Sequence, residues 1–477
     1  MVFSSFIFIS VFLPLVLAAY FLLPKKIRNL VLVIASLAFY TWGEARTSLV
    51  LIVLLTTVNF YLGKLIGEAQ RERRKRLIVL AVALNLGVLI VFKYAAFVLM
   101  NLNEVLALGG LPTLPVPRMD LPLGISFFTF HSISCLVDIY RGLFPPQRSF
   151  TAFFLYIVNF PQLIAGPIIR YRQIVNQLGS RTVGYSDFEY GVLRFTGGLG
   201  KKLLLADPVG AIADAVFGIP TTDLTTAAAW LGLTCYTLQI YFDFSGYSDM
   251  ALGLARMFGF RFPENFNYPY AATSIQDFWR RWHITLSAWF RDYMYIPLGG
   301  NRGGALATFR NLWIVFFLTG AWHGASWNFI VWGMWHGFFL ALERLGPVAR
   351  VMEATPHVLR NAYALLIVMI GWVFFRANDL PHAIAYLRRM FALDPVVDPP
   401  IRAFDLVTSQ TLVAIALTSC FAFPLWAWVK DHWSRRIDER NFVAGGVVRS
   451  GFLAAVMILC LATMATQQTS PFLYFRF

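Results

Sequence analysis

Charged side chains are scarce in this sequence. They make up 14% of its 477 residues, whereas hydrophobic residues make up 58%. A soluble domain carries about 25% charged residues. The mean hydropathy is +0.62, which leaves too little polar surface to cover soluble domains of this total length. Disorder is excluded as well, because apolar residues far exceed what a solvated chain tolerates. The composition therefore predicts a polytopic membrane protein.

Acidic residues and cysteines are also few. The 25 Asp and Glu face 40 Lys and Arg, a net charge of +15. No basic stretch lies outside the hydrophobic framework, so we expect basic loops beside anionic lipid and no nucleic-acid partner. The four cysteines lie in apolar stretches without a CxxC motif, which argues against a disulfide framework or a zinc knuckle.

Several catalytic motifs are missing from the sequence. It contains no HExxH, no GxSxG and no Rossmann fingerprint. The run GGLGKK at 197–202 lacks the spacing and the Ser or Thr of a phosphate-binding P-loop, so we interpret it as a cationic turn at the membrane surface. The remaining chemistry is acid–base catalysis by histidine without a metal or a bound cofactor.

Apolar stretches predict an all-α polytopic fold of roughly 11–12 spans in one domain over residues 1–477. One stretch is interrupted by Pro161, Gly166 and Pro167, and we expect it to be re-entrant. Basic loops 24–28 and 67–76 predict a cytoplasmic face there and an N-terminus on the outside. The predicted spans are 2–23, 29–43, 48–66, 77–100, 121–140, 149–168, 224–242, 308–322, 325–342, 361–375, 405–428 and 446–466.

Residues 262–304 lie between predicted spans yet are dense in charge and aromatic side chains. A single helix over 276–293 places four polar residues on one stripe and aromatic residues on the neighbouring stripe. The polar stripe either holds lipid phosphates or faces an anionic group of a substrate; the imidazole favours the second interpretation. Its members are Arg280, His283, Ser287 and Arg291.

The tripeptide Trp-His-Gly occurs twice in apolar sequence, at 322–324 and 335–337. An ionisable residue inside the membrane is costly and suggests function, although a neutral core histidine is the alternative. Ser326 and Asn328 near His323 favour a functional histidine. The apolar neighbours of His336 favour a structural one, and His131 is ambiguous.

A second polar cluster is the run YFDFSGYSDMALG at 241–253, at the end of an apolar stretch. Asp243 and Tyr247 are four residues apart and share a helical face. The carboxylate of Asp243 could orient a histidine or pair with an arginine for function, or it could form a structural ion pair.

These segments resemble the membrane-bound O-acyltransferase (MBOAT) family, in the branch of the bacterial alginate O-acetyltransferases. The similarity runs nearly from end to end, with no departure from the core motifs. The segments that carry it are the first span, PLGISFFTFHSISCLVDIYRG, NFPQLIAGPIIRY, YFDFSGYSDMALGLARMFGF, FWRRWHITLSAWFRDYMYIPLGGNR, GAWHGASWNF, WVFFRA and the ending PFLYFRF.

The resemblance implies a helical membrane domain with re-entrant segments around a tunnel. It implies that an acyl group, most simply acetyl, leaves a cytoplasmic thioester such as acetyl-CoA and crosses the bacterial inner membrane. The family's signature histidines correspond to His283 in RRWH and to His323 in WHG, the catalytic one. The candidates for donor or substrate binding are Arg280, Arg281, Ser287, Arg291, Asn328 and Asp243.

The resemblance also implies periplasmic acetyltransferase partner proteins within a polysaccharide biosynthesis complex. The acceptor stays open among alginate, cellulose, peptidoglycan and teichoic acid, the last by D-alanylation. Two other classes of function stay open as well. A transporter of acyl donors would tolerate Gln at position 323, and a scaffold would tolerate the loss of every tunnel histidine.

Overall fold

The computed structural model describes residues 2–42, 46–117, 119–394, 396, 403–425, 442–466 and 472–473. Within these residues the chain is helical and contains no β-strand, so the predicted all-α fold is confirmed. Helix suits a membrane chain because each helix satisfies its own backbone hydrogen bonds. The four cysteines are free thiols.

The N-terminal half of the chain forms helices α1 to α10. Short π-helical turns precede α1, at Phe8–Phe12, and α10, at Lys201–Ala206. The helices are α1 Leu13–Leu22, α2 Arg28–Thr41, α3 Arg46–Glu68, α4 Arg71–Leu108, α5 Ile125–Tyr140, α6 Phe150–Val158, α7 Phe160–Leu163, α8 Tyr171–Gly179, α9 Tyr185–Gly200 and α10 Asp207–Phe217.

The C-terminal half contributes helices α11 to α20. A π-helical turn at Arg291–Tyr295 extends α13. The helices are α11 Thr226–Met257, α12 Ile275–Arg281, α13 Ile284–Phe290, α14 Gly304–His323, α15 Trp327–Leu342, α16 Gly346–Ala354, α17 His357–Arg376, α18 Leu380–Met390, α19 Ser409–Ala422 and α20 Phe442–Thr466.

The chain divides into two compact units. One comprises Met1–Val192 with Ala251–Pro263, and the other comprises Leu193–Met250 with Glu264–Phe477. Every side chain that the sequence singled out for catalysis or binding belongs to the second unit. The expectation of one domain over residues 1–477 stays a prediction.

Four helices within the described ranges are long and apolar enough to cross a membrane: Thr47–Glu68, Arg71–Leu108, Gly304–His323 and His357–Arg376. The third is longer than the predicted span 308–322, because α14 begins at Gly304. The predicted span 224–242 is also longer as a helix, because α11 continues to Met257. The cluster around Asp243 therefore lies within a helix and not at its end.

The predicted interruption of 149–168 is confirmed. Helix α6 ends at Val158, and α7 covers only Phe160–Leu163. At Gly166 a Cβ atom would lie 2.5 Å from the Cα atom of Gln162, so glycine is required in the turn that follows α7. Whether this segment is re-entrant stays a prediction.

The predicted single helix over 276–293 is wrong. Helix α12 ends at Arg281, and His283 adopts a left-handed conformation with φ 42° before α13 begins at Ile284. Left-handed backbone cannot continue a right-handed helix. The four residues of the predicted polar stripe therefore do not lie on one helical face. The neighbouring aromatic residues pack inside the protein, since Trp279, Trp282 and Trp289 are buried.

Helices α14 and α15 pack closely because small residues face each other. A Cβ atom at Gly320 would lie 2.4 Å from the carbonyl oxygen of Phe329, and one at Gly333 would lie 2.3 Å from that of Phe316. Such stripes of small residues let helix backbones approach within membranes. Gly320 and Gly333 thus serve the packing of α14 against α15.

Candidate active site

His323 is the last residue of α14, and its side chain is buried, with 6% of its surface exposed. The ring of Trp332 on α15 meets the imidazole edge to face at a centroid distance of 4.8 Å. The ring of Phe375 on α17 does so at 5.1 Å. Three helices therefore hold the imidazole between aromatic rings.

The imidazole of His323 opens onto a small cavity with room of about 20 Å³. Among the described residues that line it, His323 alone carries an ionisable side chain. The lining residues are Ile240, Phe244, Trp282, His323, Trp332, Trp372, Phe375, Phe472 and Leu473. Aromatic and aliphatic walls of this kind exclude water, which would protect a reactive acyl compound from hydrolysis.

His283 lies beside this cavity and does not line it. Its ring meets Phe244, a cavity residue, edge to face at 4.7 Å. Trp322 lies between the two candidate histidines, with ring distances of 6.3 Å to His283 and 4.8 Å to His323. The two signature histidines thus belong to one aromatic cluster, although only His323 reaches the open space.

Asn265 positions His283. The amide oxygen of Asn265 lies 3.1 Å from His283 Nδ1 and accepts hydrogen bonds from the backbone N–H and the hydroxyl of Thr285 at 3.2 and 2.8 Å. In return, the amide nitrogen of Asn265 donates to Ser248 at 3.2 Å. Because that oxygen can only accept, Nδ1 carries the proton and Nε2 carries the lone pair.

Burial lowers the pKa of His283 to about 3, so this imidazole is neutral near pH 7. Its Nε2 atom has no hydrogen-bond partner among the described residues. A general base works best when its pKa lies near the working pH. Such a weak base is better suited to accept a hydrogen bond than to remove a proton.

The predicted donor-binding residues of α12 and α13 lie outside the cavity lining. Arg280 is exposed. Arg281 pairs with Asp277 at 2.9 Å, one helical turn earlier, and Arg291 pairs with Asp292 at 2.8 Å. The buried hydroxyl of Ser287 has no hydrogen-bond partner within the described part of the chain. The structure does not bring these side chains together with His323.

Asn328 and Asp243 make structural contacts. The amide nitrogen of Asn328 donates to the carbonyl oxygen of Ala377 at 2.7 Å, which ties the start of α15 to the end of α17. Asp243 pairs with Lys202 at 2.7 Å, a lysine where the sequence suggested a histidine or an arginine. Lys202 is itself buried, so the interpretation of GGLGKK as a surface turn is wrong: α9 and the following π-helical turn contain it.

The other two buried histidines do not line the cavity. His336 packs between the rings of Phe278, Trp279 and Trp332, at 5.9, 5.3 and 5.3 Å. His131 Nε2 accepts a hydrogen bond from the backbone N–H of Ile169 at 3.2 Å. These contacts agree with a structural role for both.

Sequence reasoning missed most of the cavity walls. Trp332, Trp372 and Phe375 stand on two different helices, and Phe472 lies near the end of the chain. Hydrophobic periodicity only marks such residues as buried. The available signals were the family-like segment WVFFRA, which contains Trp372 and Phe375, and the ending PFLYFRF, which contains Phe472 and Leu473.

Sequence comparisons with known proteins cover the region that contains this site. The sequence model of the membrane-bound O-acyltransferase family matches residues 144–376, which include both candidate histidines. The chain is 42% identical to the "Probable alginate O-acetylase AlgI" of Azotobacter vinelandii over all of both chains. Its counterpart of the same name in Pseudomonas aeruginosa is 46% identical over 82% of this chain and 75% of that one.

A third relative bears a different printed name. The "Peptidoglycan O-acetyltransferase" of Helicobacter pylori is 37% identical over 83% of this chain and 81% of its own length. Full-length similarity above 40% to one relative and the family match across the histidine region identify the class. The chain belongs to the membrane-bound O-acyltransferase family, and it is a multi-pass membrane enzyme that transfers acyl groups to oxygen.

Proposed function

We propose that this enzyme takes an acetyl group from a cytoplasmic thioester and passes it across the inner membrane for O-acetylation of an exopolysaccharide such as alginate. One observation supports this above the others. A buried histidine at the end of a helix long enough to span the membrane borders a small apolar cavity. The relatives named alginate O-acetylases support the choice of acyl group and acceptor.

His323 is proposed as the general base. It takes the proton of the acceptor hydroxyl while that oxygen attacks the thioester carbonyl. The carbon–oxygen bond forms, the carbon–sulfur bond breaks, and the proton returns from the imidazole to the departing thiolate. A positioned base of this kind contributes about 10²–10⁴-fold in rate. His283 is proposed as a second member of the machinery, which acts through the aromatic cluster that it shares with His323: its ring packs against Phe244, a wall of the cavity.

The donor is proposed to be acetyl-CoA or another acyl thioester. Arg280 is exposed, and the turn after α13 that contains Gly299 and Gly300 has positive φ angles of 106° and 57°. The side chain of Asn311 holds this turn through the carbonyl oxygens of Leu298 and Gly300. An exposed guanidinium suits the phosphates of a thioester carrier, because it can donate paired hydrogen bonds to them.

The proposed setting is the bacterial inner membrane with the N-terminus in the periplasm. Periplasmic acetyltransferase partners would complete the transfer within a polysaccharide biosynthesis complex. Basic loops support this orientation. It is tested by Glu72→Cys in a cysteine-free background: an impermeant thiol reagent should leave intact cells unlabelled and label disrupted ones. Labelling of intact cells would reverse the orientation.

Peptidoglycan is the second candidate acceptor, because of the relative with that printed name. The discriminating experiment incubates the purified protein in lipid nanodiscs with labelled acetyl-CoA. Alginate, cellulose, peptidoglycan fragments and teichoic acid serve in turn as acceptors, with D-alanyl thioester as a second donor. We expect ester formation and thiol release together, and neither with His323→Gln. Donor movement without thiol release would indicate a transporter, and activity that survives loss of both His323 and His283 would indicate a scaffold.

A further inference from the structure

We infer that Phe472 limits the length of the acyl group that this enzyme can transfer, and that Asp243 is the positioning residue that holds it. The inference rests on the proposed function and adds a specificity determinant to it. Phe472 and the next residue, Leu473, belong to the part of the cavity wall that lies outside the helices, together with Trp282 between α12 and α13. The other walls come from the interior of the helical unit.

The size of the cavity carries the first step. About 20 Å³ is room for little more than one water-sized sphere. The methyl group of an acetyl chain has about that size, whereas a longer chain would press on the side chains of the lining, most of which are aromatic. Extra methylenes forced into a packed site move side chains off their rotamers. The cavity beside His323 therefore fits a two-carbon acyl group and opposes longer ones.

Phe472 is the wall that can be removed with the least damage. Trp332, Trp372 and Phe375 pack on one another, with ring distances of 5.0 to 6.0 Å, and hold α15 against α17. Phe472 instead stacks on Tyr247 at 4.6 Å and meets Phe244 at 5.9 Å, both on α11. Truncating it should enlarge the cavity while the helices stay in place.

Asp243 holds this wall in position. Its Oδ2 atom accepts a hydrogen bond from the backbone N–H of Leu473 at 2.8 Å. Its Oδ1 atom lies 2.7 Å from Lys202 Nζ, which also pairs with Asp207 at 2.8 Å. Asp243 and Lys202 are buried. Buried charges in membrane proteins are costly and mark function, and here the carboxylate fixes the residue that follows Phe472.

The experiment measures kcat/KM for acetyl, propionyl and butyryl thioesters with the full-length protein in nanodiscs. One added methylene changes discrimination by about tenfold or more in an apolar pocket. We expect Phe472→Ala to raise the butyryl-to-acetyl ratio by about tenfold or more, on that same basis. Phe338→Ala removes the same ring from a half-exposed position of α15 and should leave the ratio unchanged.

The outcomes separate this inference from the proposed function. Acetyl transfer by Phe472→Ala with an unchanged ratio overturns the inference alone. No acyl transfer by the wild-type protein overturns both. If Phe472→Ala fails to accumulate in the membrane, Phe472→Leu replaces it, because leucine keeps most of the packing. Phe472→Leu should raise the propionyl-to-acetyl ratio above that of the wild type. An unchanged propionyl-to-acetyl ratio in Phe472→Leu overturns the inference.

Asp243 has its own test. Asp243→Ala removes the acceptor of the Leu473 N–H group, and we expect it to relax acyl selectivity in the same direction as Phe472→Ala. Asp243→Asn keeps an acceptor oxygen and should restore most of the wild-type ratio. A merely structural role would lower transfer of all three acyl groups equally, and that result would overturn the positioning role of Asp243.

Discussion

The two Trp-His-Gly tripeptides share their local sequence and differ in what surrounds them. His323 ends α14 and lines a cavity. His336 lies in the middle of α15, fully buried among aromatic rings, and neither of its ring nitrogens has a hydrogen-bond partner among the described residues. A catalytic base must reach the reacting atoms. Access to open space, and not burial or motif, therefore separates the two.

The position within the helix explains this difference. At the end of α14 the chain leaves the helix, so the space beyond His323 is filled by side chains from α11, α15, α17 and the Phe472–Leu473 pair, which leave a gap. His336 is followed by more helix, and the Cβ position of Gly371 on α17 lies within 2.9 Å of its Nε2 atom. Close helix packing leaves no room there for a substrate.

The largest expected effect is on acyl transfer and concerns His323, the histidine that lines the cavity. His323→Ala should lower acyl transfer by about 10²–10⁴-fold, because the hydroxyl proton loses its acceptor. The amount of protein in the membrane should stay near the wild-type level. Thiol release from labelled acetyl thioester measures the first quantity, and an immunoblot of membranes measures the second. Transfer close to the wild-type rate would remove His323 from the mechanism.

The next prediction concerns the structural histidine. His336→Ala should lower the free energy of unfolding by about 2–5 kcal/mol, as for other large buried side chains replaced by Ala. His336→Leu retains more of the volume and removes both unpartnered nitrogens, so its stability should exceed that of His336→Ala. Thermal unfolding in detergent measures both, and acyl transfer by His336→Leu should persist. Loss of transfer in a stable His336→Leu protein would place this histidine in the mechanism.

A third buried histidine, His283, should affect how the stability of the protein depends on pH. The pKa of folded His283 is about 3 because of burial, whereas an unfolded histidine has a pKa of about 6.5. Below pH 6.5 the unfolded chain binds a proton that the folded chain refuses, so stability is lost as the pH falls from 6.5 towards 3. The loss from this group at pH 5 is about 2 kcal/mol.

Unfolding midpoints at pH 7 and pH 5 test this window. His283→Gln should lose less stability between the two values than the wild type does, because the amide side chain does not titrate. Asn265→Asp is a second test variant, because a carboxylate beside Nδ1 should raise the pKa of His283. The pH range over which His283 lowers the stability should then become smaller. Equal acid sensitivity of the wild type and His283→Gln would exclude His283 as a source of it.

The smallest expected effect lies on the donor side, away from both tripeptides. Arg280→Lys should raise the apparent KM for the thioester by about two- to fivefold, since an exposed ion pair is worth little and Lys lacks the planar fork. Arg291→Lys should change it less, because Arg291 already pairs with Asp292. Acyl transfer against donor concentration measures both. An unchanged KM in Arg280→Lys would indicate that this arginine binds lipid phosphates and not the donor.

Local pattern predicted the helices better than it predicted the site. Apolar length and the interruption at Pro161 were sufficient for the all-α fold and for the broken segment after Val158. The same approach failed at 276–293, where periodicity suggested one amphipathic helix. The helix is interrupted there because His283 adopts a left-handed backbone conformation. The imidazole of His283 contacts the side chain of Asn265, which lies 18 positions earlier in the sequence.

The sequence by itself determined that the chain is a membrane protein and which histidines carry the family resemblance, because hydropathy and motifs are properties of neighbouring residues. Only the tertiary structure decided what each polar group meets. Lys202 and Asp243 are 41 positions apart and form a buried pair, and Phe472 joins a cavity built from α11, α14, α15 and α17. Such contacts depend on how helices pack against each other, and that packing brings together side chains that no local pattern relates.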